Sequence, residues 1–415
     1  MLRFENKHLS HYKVSCKDDK FAVPIALTKV VHLHGKPFSM KKVGVLGGGQ
    51  LGRMLIQAGI GFDVEIHVLD PDADAPCRHL AARFVVGSLQ DFDTVYQFGQ
   101  GLDLVTIEIE KVNVDALEAL VSMGVEVYPQ PSAIRTIQDK RLQKQFFDLH
   151  QLPTSPFVLI DKREDLYQHA DFLPAFLKLA RDGYDGRGVM PIINTDDIHQ
   201  AFDQPCVLEK AVPIFKELSV IVAQNAKGET SVFPVVELVF DPKYNLVDFL
   251  LQPAQIDPQT EKQAQEIALS VIQHLKMVGV LAVELFLTPD KQILINEVAP
   301  RPHNSGHQTI EANYTSQYEQ HWRAILGLPL GNTDLKSPAA MLNLVGADEH
   351  VGVAHYLGIE TVLETPRAYI HLYGKKITKP GRKMGHVTLL DNNFLHLLEQ
   401  VQRLKNTVKV ISQNI

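Results

Sequence analysis

The sequence predicts a mixed α/β and α+β protein: a parallel sheet at the N-terminal end, an α+β domain in the middle and a small β-rich domain at the C-terminal end. Three observations carry this. A strand, a glycine loop, a helix and a second strand follow one another between Lys42 and Asp70, and two apolar runs joined by Thr288-Pro289-Asp290-Lys291 form a hairpin pattern. Short strand-like runs then recur after Pro338. With 415 residues, 45% hydrophobic and 21% charged, the chain is long enough for two or three domains with full cores and has the composition of a soluble globular protein. A net charge of -7 argues against a sequence-independent nucleic-acid binder. No apolar run approaches the roughly 18 residues of a membrane span. Cys16, Cys77 and Cys206 are scattered and odd in number, with neither disulfide nor zinc spacing, which points to a reducing, cytoplasmic setting.

Residues 1–39 show no clear periodicity and are expected to pack poorly on the rest. Met40 stands directly before the first strand and is a candidate natural start, while Glu5, Asp18, Asp19 and the sparse arginines speak against a transit peptide. Residues 40–135 read as a Rossmann-like domain. Val43 to Leu46 is a strand, Gly47-Gly48-Gly49-Gln50-Leu51-Gly52 a glycine loop, Arg53 to Ala58 the start of a helix, and Val64 to Leu69 a second strand ending at Asp70. The glycines permit a tight turn and the helix start offers N–H groups to an anion, so this stretch alone predicts a dinucleotide site with Asp70 near the ribose. The same turn serves many α/β domains that bind something else. Phe84 to Val86 and Leu104 to Ile107 continue the sheet, and Glu108 falls where open sheets place ligand groups, or is a solvated strand-end glutamate. Tyr128-Pro129-Gln130-Pro131 then marks a boundary.

The second domain, expected over 136–335, begins with a helix carrying Asp139 and Lys140. Phe176 to Ala180 reads as a strand bearing Lys178, and Gly183, Gly186 and Gly188 follow in a loop able to fold over phosphates beside that lysine. A plain hairpin turn would not need Tyr184, Asp185 and Arg187. Cys206 to Leu208 reads as a buried strand running into Glu209-Lys210-Ala211-Val212, with Glu217 beyond, a linker suited to a purine base and a ribose. Val280 to Leu287 carries one carboxylate, Glu284, in an apolar run. If Leu287 sits opposite Gln292, Glu284 faces Ile295 and Glu297 lies one diagonal step along on the same face. Two carboxylates about 5 Å apart repel by on the order of 3 kcal/mol at an effective dielectric of about 20. A cation would offset this, and Mg²⁺ fits because it takes oxygen ligands and bridges carboxylates to phosphates; the alternative is a hairpin with two solvated glutamates. Asn296, Arg301, His303, Asn304, Ser305 and His307 crowd the next stretch like the edge of an active site. From about residue 336, Ala340 to Val345 and Ala368 to Tyr373 read as strands and Val387 to Leu390 follows a basic turn. Leu395 to Leu404 has helical spacing and is expected to pack on that sheet.

Together these pieces resemble the ATP-grasp superfamily. Within it, GGGQLGRM at 47–54, GYDGRG at 183–188, NEVAPRPHNSGH at 296–307 and PGRKMGH at 380–386 are similar to the N5-carboxyaminoimidazole ribonucleotide synthetases of purine biosynthesis. The resemblance runs from Met40 to nearly the end; the third motif is highly specific, the fourth supports it, and the first is weak alone. It implies a central two-lobed ATP-grasp domain and a C-terminal domain over 336–415. It places ATP against Lys140, Lys178, the loop Gly183, Tyr184, Asp185, Gly186, Arg187, Gly188 and Val189, the linker Glu209, Lys210, Ala211 and Val212, and Glu217, Asn296 and Glu297. Mg²⁺, or Mn²⁺ in its place, would sit on Glu284 and Glu297. Phe240 stands in a region where relatives are expected to carry a histidine.

The resemblance further implies that 5-aminoimidazole ribonucleotide lies near Gln50, Glu108, Tyr184, Asp185 and Arg187, with its phosphate on Lys375, Arg382 and Lys383. The Lys-Pro-Gly-Arg-Lys turn does gather charge for a phosphate; read plainly it is an exposed basic turn. The implied reaction is ATP-dependent carboxylation by bicarbonate through carboxyphosphate. Lys178 and Arg301 would stabilise phosphoryl charge, His303, ahead of His307, would handle the amine proton beside Asn304, and the 183–188 loop would serve as lid. A homodimer is expected, with a hand-off to the mutase that follows in the pathway, and no nucleic acid or membrane partner. The alternatives are a formate-dependent glycinamide ribonucleotide transformylase, a biotin carboxylase, or a catalytically silent nucleotide-binding protein. The His303-Asn304-Ser305-Gly306-His307 run argues against the first two, and the retained Glu284, Glu297, Lys140 and Lys178 against the third. An NAD dehydrogenase would leave those groups without a task.

Overall fold

The computed structural model describes residues 40–412 except 182, 184–187 and 244–245. Strands β1 (Lys42–Leu46), β2 (Glu65–Asp70), β3 (Arg83–Val86), β4 (Leu104–Ile107) and β5 (Glu126–Val127) form a parallel sheet in the order β3-β2-β1-β4-β5. Helices α1 (Gln50–Gly59), α2 (Phe92–Gly99) and α3 (Val114–Ser122) cover it. Because both faces are covered, β1 and β4 are apolar almost throughout, and β2 is buried from Ile66 to Leu69. Val43, Val45 and Val68 pack with Met54 and Leu55 on one side, and Leu46, Leu69 and Val105 with Phe98, Leu117 and Leu120 on the other. Asp91 and Asn113 start α2 and α3 by accepting from Thr94 N–H and Ala116 N–H.

Helices α4 (Pro131–Gln138) and α5 (Lys140–Leu149) lead into a four-stranded antiparallel sheet of β6 (Phe157–Ile160), β7 (Ala175–Leu179), β8 (Val189–Ile192) and β9 (Cys206–Lys210), ordered β6-β9-β7-β8. Then come β10 (Lys216–Gln224), β11 (Thr230–Val232), β12 (Val236–Asp241), β13 (Leu246–Gln252), helix α6 (Pro258–Leu275), β14 (Gly279–Leu287), β15 (Ile293–Ala299), α7 (Thr309–Ala312) and α8 (Gln317–Ile325). The last part comprises β16 (Ala339–Val345), β17 (Gly352–Leu357), α9 (Ile359–Glu364), β18 (Ala368–Leu372), β19 (Ile377–Thr378), β20 (Lys383–Leu390), α10 (Phe394–Thr407) and β21 (Lys409–Ser412).

One large sheet runs β15-β14-β10-β12-β13-β16-β20-β18, with β11 on β10. The C-terminal strands β16, β20 and β18 therefore extend the central sheet through the β13–β16 pair, and β19-β17-β21 forms a separate three-stranded sheet. Helix α10 packs Leu397, Val401 and Leu404 on Leu342, Val387 and Leu389. Helix α8 reaches back to the first sheet: Trp322 is fully buried in its core and donates from Nε1 to Leu55 O at 2.8 Å. Truncating such a ring to alanine costs about 3–5 kcal/mol.

The β14–β15 hairpin is present, but its register differs from the one expected. Leu287 pairs with Ile293, and Glu284 lies directly opposite Glu297 rather than Ile295. Two features cause this. Lys291 adopts a left-handed conformation (φ 64°) and tightens the turn to Pro289, Asp290 and Lys291, closed by Thr288 and Gln292. A bulge then leaves Asn296 as the extra residue between Ile295 and Glu297. The strand also runs on to Ala299, so Asn296 and Glu297 stand within it.

Candidate active site

Charged side chains from both antiparallel sheets meet where β7 and β9 face the hairpin. Asp139 caps α5 by accepting from Arg141 N–H and Leu142 N–H, and Lys140 N–H donates to Ala180 O at 2.8 Å, tying the helix start to the end of β7. Lys140 and Lys144, one turn apart, then share a face. Lys140 Nζ donates to Glu297 Oε2 at 2.9 Å. Lys178 Nζ donates to Glu209 Oε2 and to Asn296 Oδ1, both at 3.0 Å, which joins the small sheet to the hairpin. Lys144, which sequence reasoning missed, is buried 3.3 Å from the same Glu209 oxygen and donates to Thr154 Oγ1, which in turn donates to Ile295 O. Burial alone would raise the Glu209 carboxyl, but the Lys178 and Lys144 ammoniums hold it below its ordinary value. Burial lowers Lys144 to about 8. The Glu209 side chain thus holds lysines, and the linker's main chain is what remains for a base. Lys210 N–H and Ala211 N–H are taken by Pro156 and Pro174 carbonyls, and Val212 N–H meets no acceptor among the described residues. The Lys210 ammonium is held by the Phe172 and Leu173 carbonyls.

On the hairpin, burial and then the neighbouring Glu297 and Glu217 charges push Glu284 up. Lys140 pulls Glu297 down, against its own desolvation. The pair is asymmetric, one carboxyl inclined to hold a proton and the other ionised. Glu217, two residues from the strand position opposite Glu284, is raised to about 7 by burial. Gly188 (φ 73°) accepts from Leu179 N–H at 2.8 Å and Val189 pairs with Lys178, so β7 and β8 are antiparallel partners on either side of the glycine-rich stretch. Tyr184, Asp185, Gly186 and Arg187 lie outside the described residues.

The stretch after β15 is held from several sides. Arg301 forks onto Glu110, with Nη2 at 2.8 Å from Oε1 and 3.0 Å from Oε2, and its buried Nε has no partner among the described residues. Glu110 was missed in the sequence, although it stands two residues beyond Glu108 at the end of β4. His303 Nδ1 lies 3.7 Å from Glu284 Oε1. Asn304 is buried, its amide paired with that of Asn343 at 2.9 Å. His307 is buried, accepts from or donates to Tyr318 Oη at 2.9 Å and stacks on His386, and burial keeps its pKa far below the ordinary value. His307 is a neutral core group, and His303 is the histidine at the site.

The glycine loop holds a further difference. Glu108 is buried and accepts from Gly49 N–H at 2.5 Å and Gly52 N–H at 2.6 Å, while Asp70 accepts from Gly48 N–H at 2.6 Å. The donors that would face a dinucleotide are occupied by the protein's own carboxylates. Glu108 therefore shapes the loop that leads into Gln50, the first residue of α1. Lys375 donates to Lys383 O at 2.8 Å and Arg382 to Ile377 O at 2.7 Å, which gathers the three basic residues at the start of β20. The Lys383 charge is felt by Glu284.

Two antiparallel sheets joined through lysines, with paired carboxylates on the larger one, define the class: an ATP-grasp enzyme. The ATP-grasp domain matches residues 145–318, the Ribonucleotide synthetase preATP-grasp domain residues 40–138, and the Phosphoribosylaminoimidazole carboxylase C-terminal domain residues 339–400. The chain is 36% identical over 359 residues to the N5-carboxyaminoimidazole ribonucleotide synthase of Bacillus subtilis, covering 84% of this chain and 91% of that one. It is 39% identical to the chloroplastic phosphoribosylaminoimidazole carboxylase of Vigna aconitifolia, covering 85% of this chain but only 64% of that longer protein. The Aspergillus clavatus N5-carboxyaminoimidazole synthase, solved with ADP and 5-aminoimidazole ribonucleotide, superposes with a TM-score of 0.82 at 34% identity, over 89% of this chain and 99% of that one. The chain belongs to the N5-carboxyaminoimidazole ribonucleotide synthase family.

Proposed function

We propose that the protein is an ATP-dependent ligase that carboxylates 5-aminoimidazole ribonucleotide with bicarbonate, releasing ADP and phosphate. The observation that carries this reading is the pair Glu284 and Glu297, directly opposite on the hairpin, with Lys140 and Lys178 fixed at the same edge. A bicarbonate oxygen attacks the γ-phosphorus of ATP, the bond to the ADP oxygen breaks, and carboxyphosphate forms. The exocyclic amine then attacks the carboxyl carbon, of carboxyphosphate or of CO₂ released from it, phosphate leaves, and the amine proton passes to a base.

The donor set suits Mg²⁺. It is all oxygen, and burial beside Glu297 drives up a carboxyl, Glu284, that a cation would relieve. Glu284 and Glu297 would hold the ion, and when bound it would neutralise charge on phosphoryl oxygens; Mn²⁺ could replace it. In this reading Lys140 and Lys178 orient the phosphates, Val212 N–H meets the base edge and Glu217 the ribose. Arg301, held flat by Glu110, offers its guanidinium to the carboxyphosphate, and His303 takes the amine proton. Lys375, Arg382 and Lys383 bind the phosphate of the imidazole nucleotide. A cytoplasmic homodimer that passes its product to the following mutase completes the proposal; among the described residues, no helix is long and apolar enough to cross a membrane.

The test is ADP release with Mg-ATP and bicarbonate, with and without 5-aminoimidazole ribonucleotide, and with glycinamide ribonucleotide plus formate as control. Turnover that requires the imidazole nucleotide supports the reading. Activity in the control alone would move the protein to the sister ligase, and silence in both would leave a nucleotide-binding protein.

A further inference from the structure

Residues 303–305 are tied down one after another to three different elements. The His303 N–H donates to Gln317 Oε1 at 2.8 Å and its carbonyl accepts from Gln317 Nε2 at 2.7 Å, so one amide on α8 holds both main-chain groups. The Asn304 amide pairs with Asn343 of β16 in both directions, at 2.9 and 3.0 Å. The Ser305 hydroxyl lies 2.7 Å from Ser219 Oγ on β10 and 2.9 Å from His303 Nδ1. The first two anchors hold the main chain and a neighbour. The third reaches the imidazole itself.

Ser219 is fully buried between Leu218 and Val220, in a strand that is apolar from Leu218 to Ala223, and it stands in register opposite Glu284. Ser305 is equally buried. A hydroxyl shut away from water needs a partner. The partner of Ser219 is Ser305, and Ser305 in turn meets the ring. Each hydroxyl donates one proton and accepts others, so Ser219 sets the rotamer of Ser305 and Ser305 sets the rotation of the His303 ring beside Glu284.

We propose that Ser219 is a positioning residue that fixes the His303 imidazole through Ser305. This rests on the reading of His303 as the group that handles the amine proton. Removing the Ser219 hydroxyl lets the Ser305 hydroxyl turn away and leaves the ring on its longer contact with the Ser305 N–H at 3.4 Å, which degrades the proton transfer while leaving both nucleotide sites intact. Misplacement of a catalytic group by a fraction of an ångström lowers rate rather than binding.

The experiment is a cycle of Ser219→Ala, His303→Ala and the double variant, read by single-turnover rate, by KM for both nucleotides and by ADP titration calorimetry. Ser219→Ala is expected to lower kcat about tenfold with both KM values and ADP affinity within about twofold, and to have no further effect in the His303→Ala background. A full rate in Ser219→Ala beside a slow His303→Ala overturns the positioning role alone. An equal loss in both backgrounds also overturns it, because Ser219 would then act independently of the ring. A full rate in His303→Ala overturns the reading of His303 and the proposal with it. Should Ser219→Ala fail to bind ADP, Ser305→Ala is read by the same criteria.

Discussion

Glu108 occupies the anion position at the start of α1, its carboxylate accepting from Gly52 N–H at 2.6 Å as well as from Gly49 N–H. A phosphate bound there in a dinucleotide enzyme would need those same donors. Mixing the protein with NADH should therefore leave the nicotinamide fluorescence unchanged. Glu108→Ala removes two charge-assisted hydrogen bonds from a buried loop and should cost about 3 kcal/mol in urea unfolding.

The hairpin carboxylates should be separable from the fold. Glu297→Gln and Glu284→Gln are each expected to lower turnover by at least about a hundredfold. Circular dichroism should remain close to the parent in both; thermal unfolding should too for Glu284→Gln, while Glu297→Gln, which takes the charge partner from Lys140, should unfold at a somewhat lower temperature. Loss of the folded state in both variants would show that the pair serves stability rather than the phosphoryl transfer.

The buried Glu217 carboxyl should contribute, beside Glu284, to a pH-dependent stability. Burial raises its carboxyl to about 7, above the ordinary value of 4.5, so the folded state binds this proton more tightly than the unfolded chain does. The stabilising contribution is complete below about pH 4.5 and is lost as pH rises through about 7. Thermal unfolding of the nucleotide-free protein should show this decline between pH 5 and 7, and Glu217→Gln should make it shallower, Glu284 supplying the remainder.

The basic turn should act on one substrate only. Arg382→Gln and Lys383→Gln are expected to raise KM for 5-aminoimidazole ribonucleotide about tenfold and leave KM for ATP unchanged. Added salt should weaken the parent's affinity for the imidazole nucleotide more than that of either variant.

Much of this arrangement is written in local pattern. The strand-loop-helix of Lys42 to Asp70, the Lys178 strand, the hairpin and the terminal helix all follow from short-range pattern, because their apolar runs and turn residues lie close together in the chain. What escaped depends on pairs far apart in the chain. Glu110 meets Arg301 across 191 positions, and Glu108 reaches Gly52 across 56. Neither distance leaves a periodic mark. The hairpin register slipped for a subtler reason: one lysine, Lys291, takes a backbone conformation usually reserved for glycine or asparagine, and no turn rule favours lysine there. Ser219 did leave a signal, a lone hydroxyl in the run Leu-Ser-Val-Ile-Val-Ala, which makes sense only once its partner is known.

The unbroken hydrogen bonding from β15 through β13 to β20 has a mechanical consequence. Glu284 and Lys383 are mounted on one stiff plate, while Lys178 rides on a separate, smaller one. The span from Lys383 to Glu284 is therefore set by paired main chain, whereas the Lys178 plate is tied to the hairpin by side chains, through the 3.0 Å bond to Asn296, so any adjustment to a nucleotide should fall on that joint.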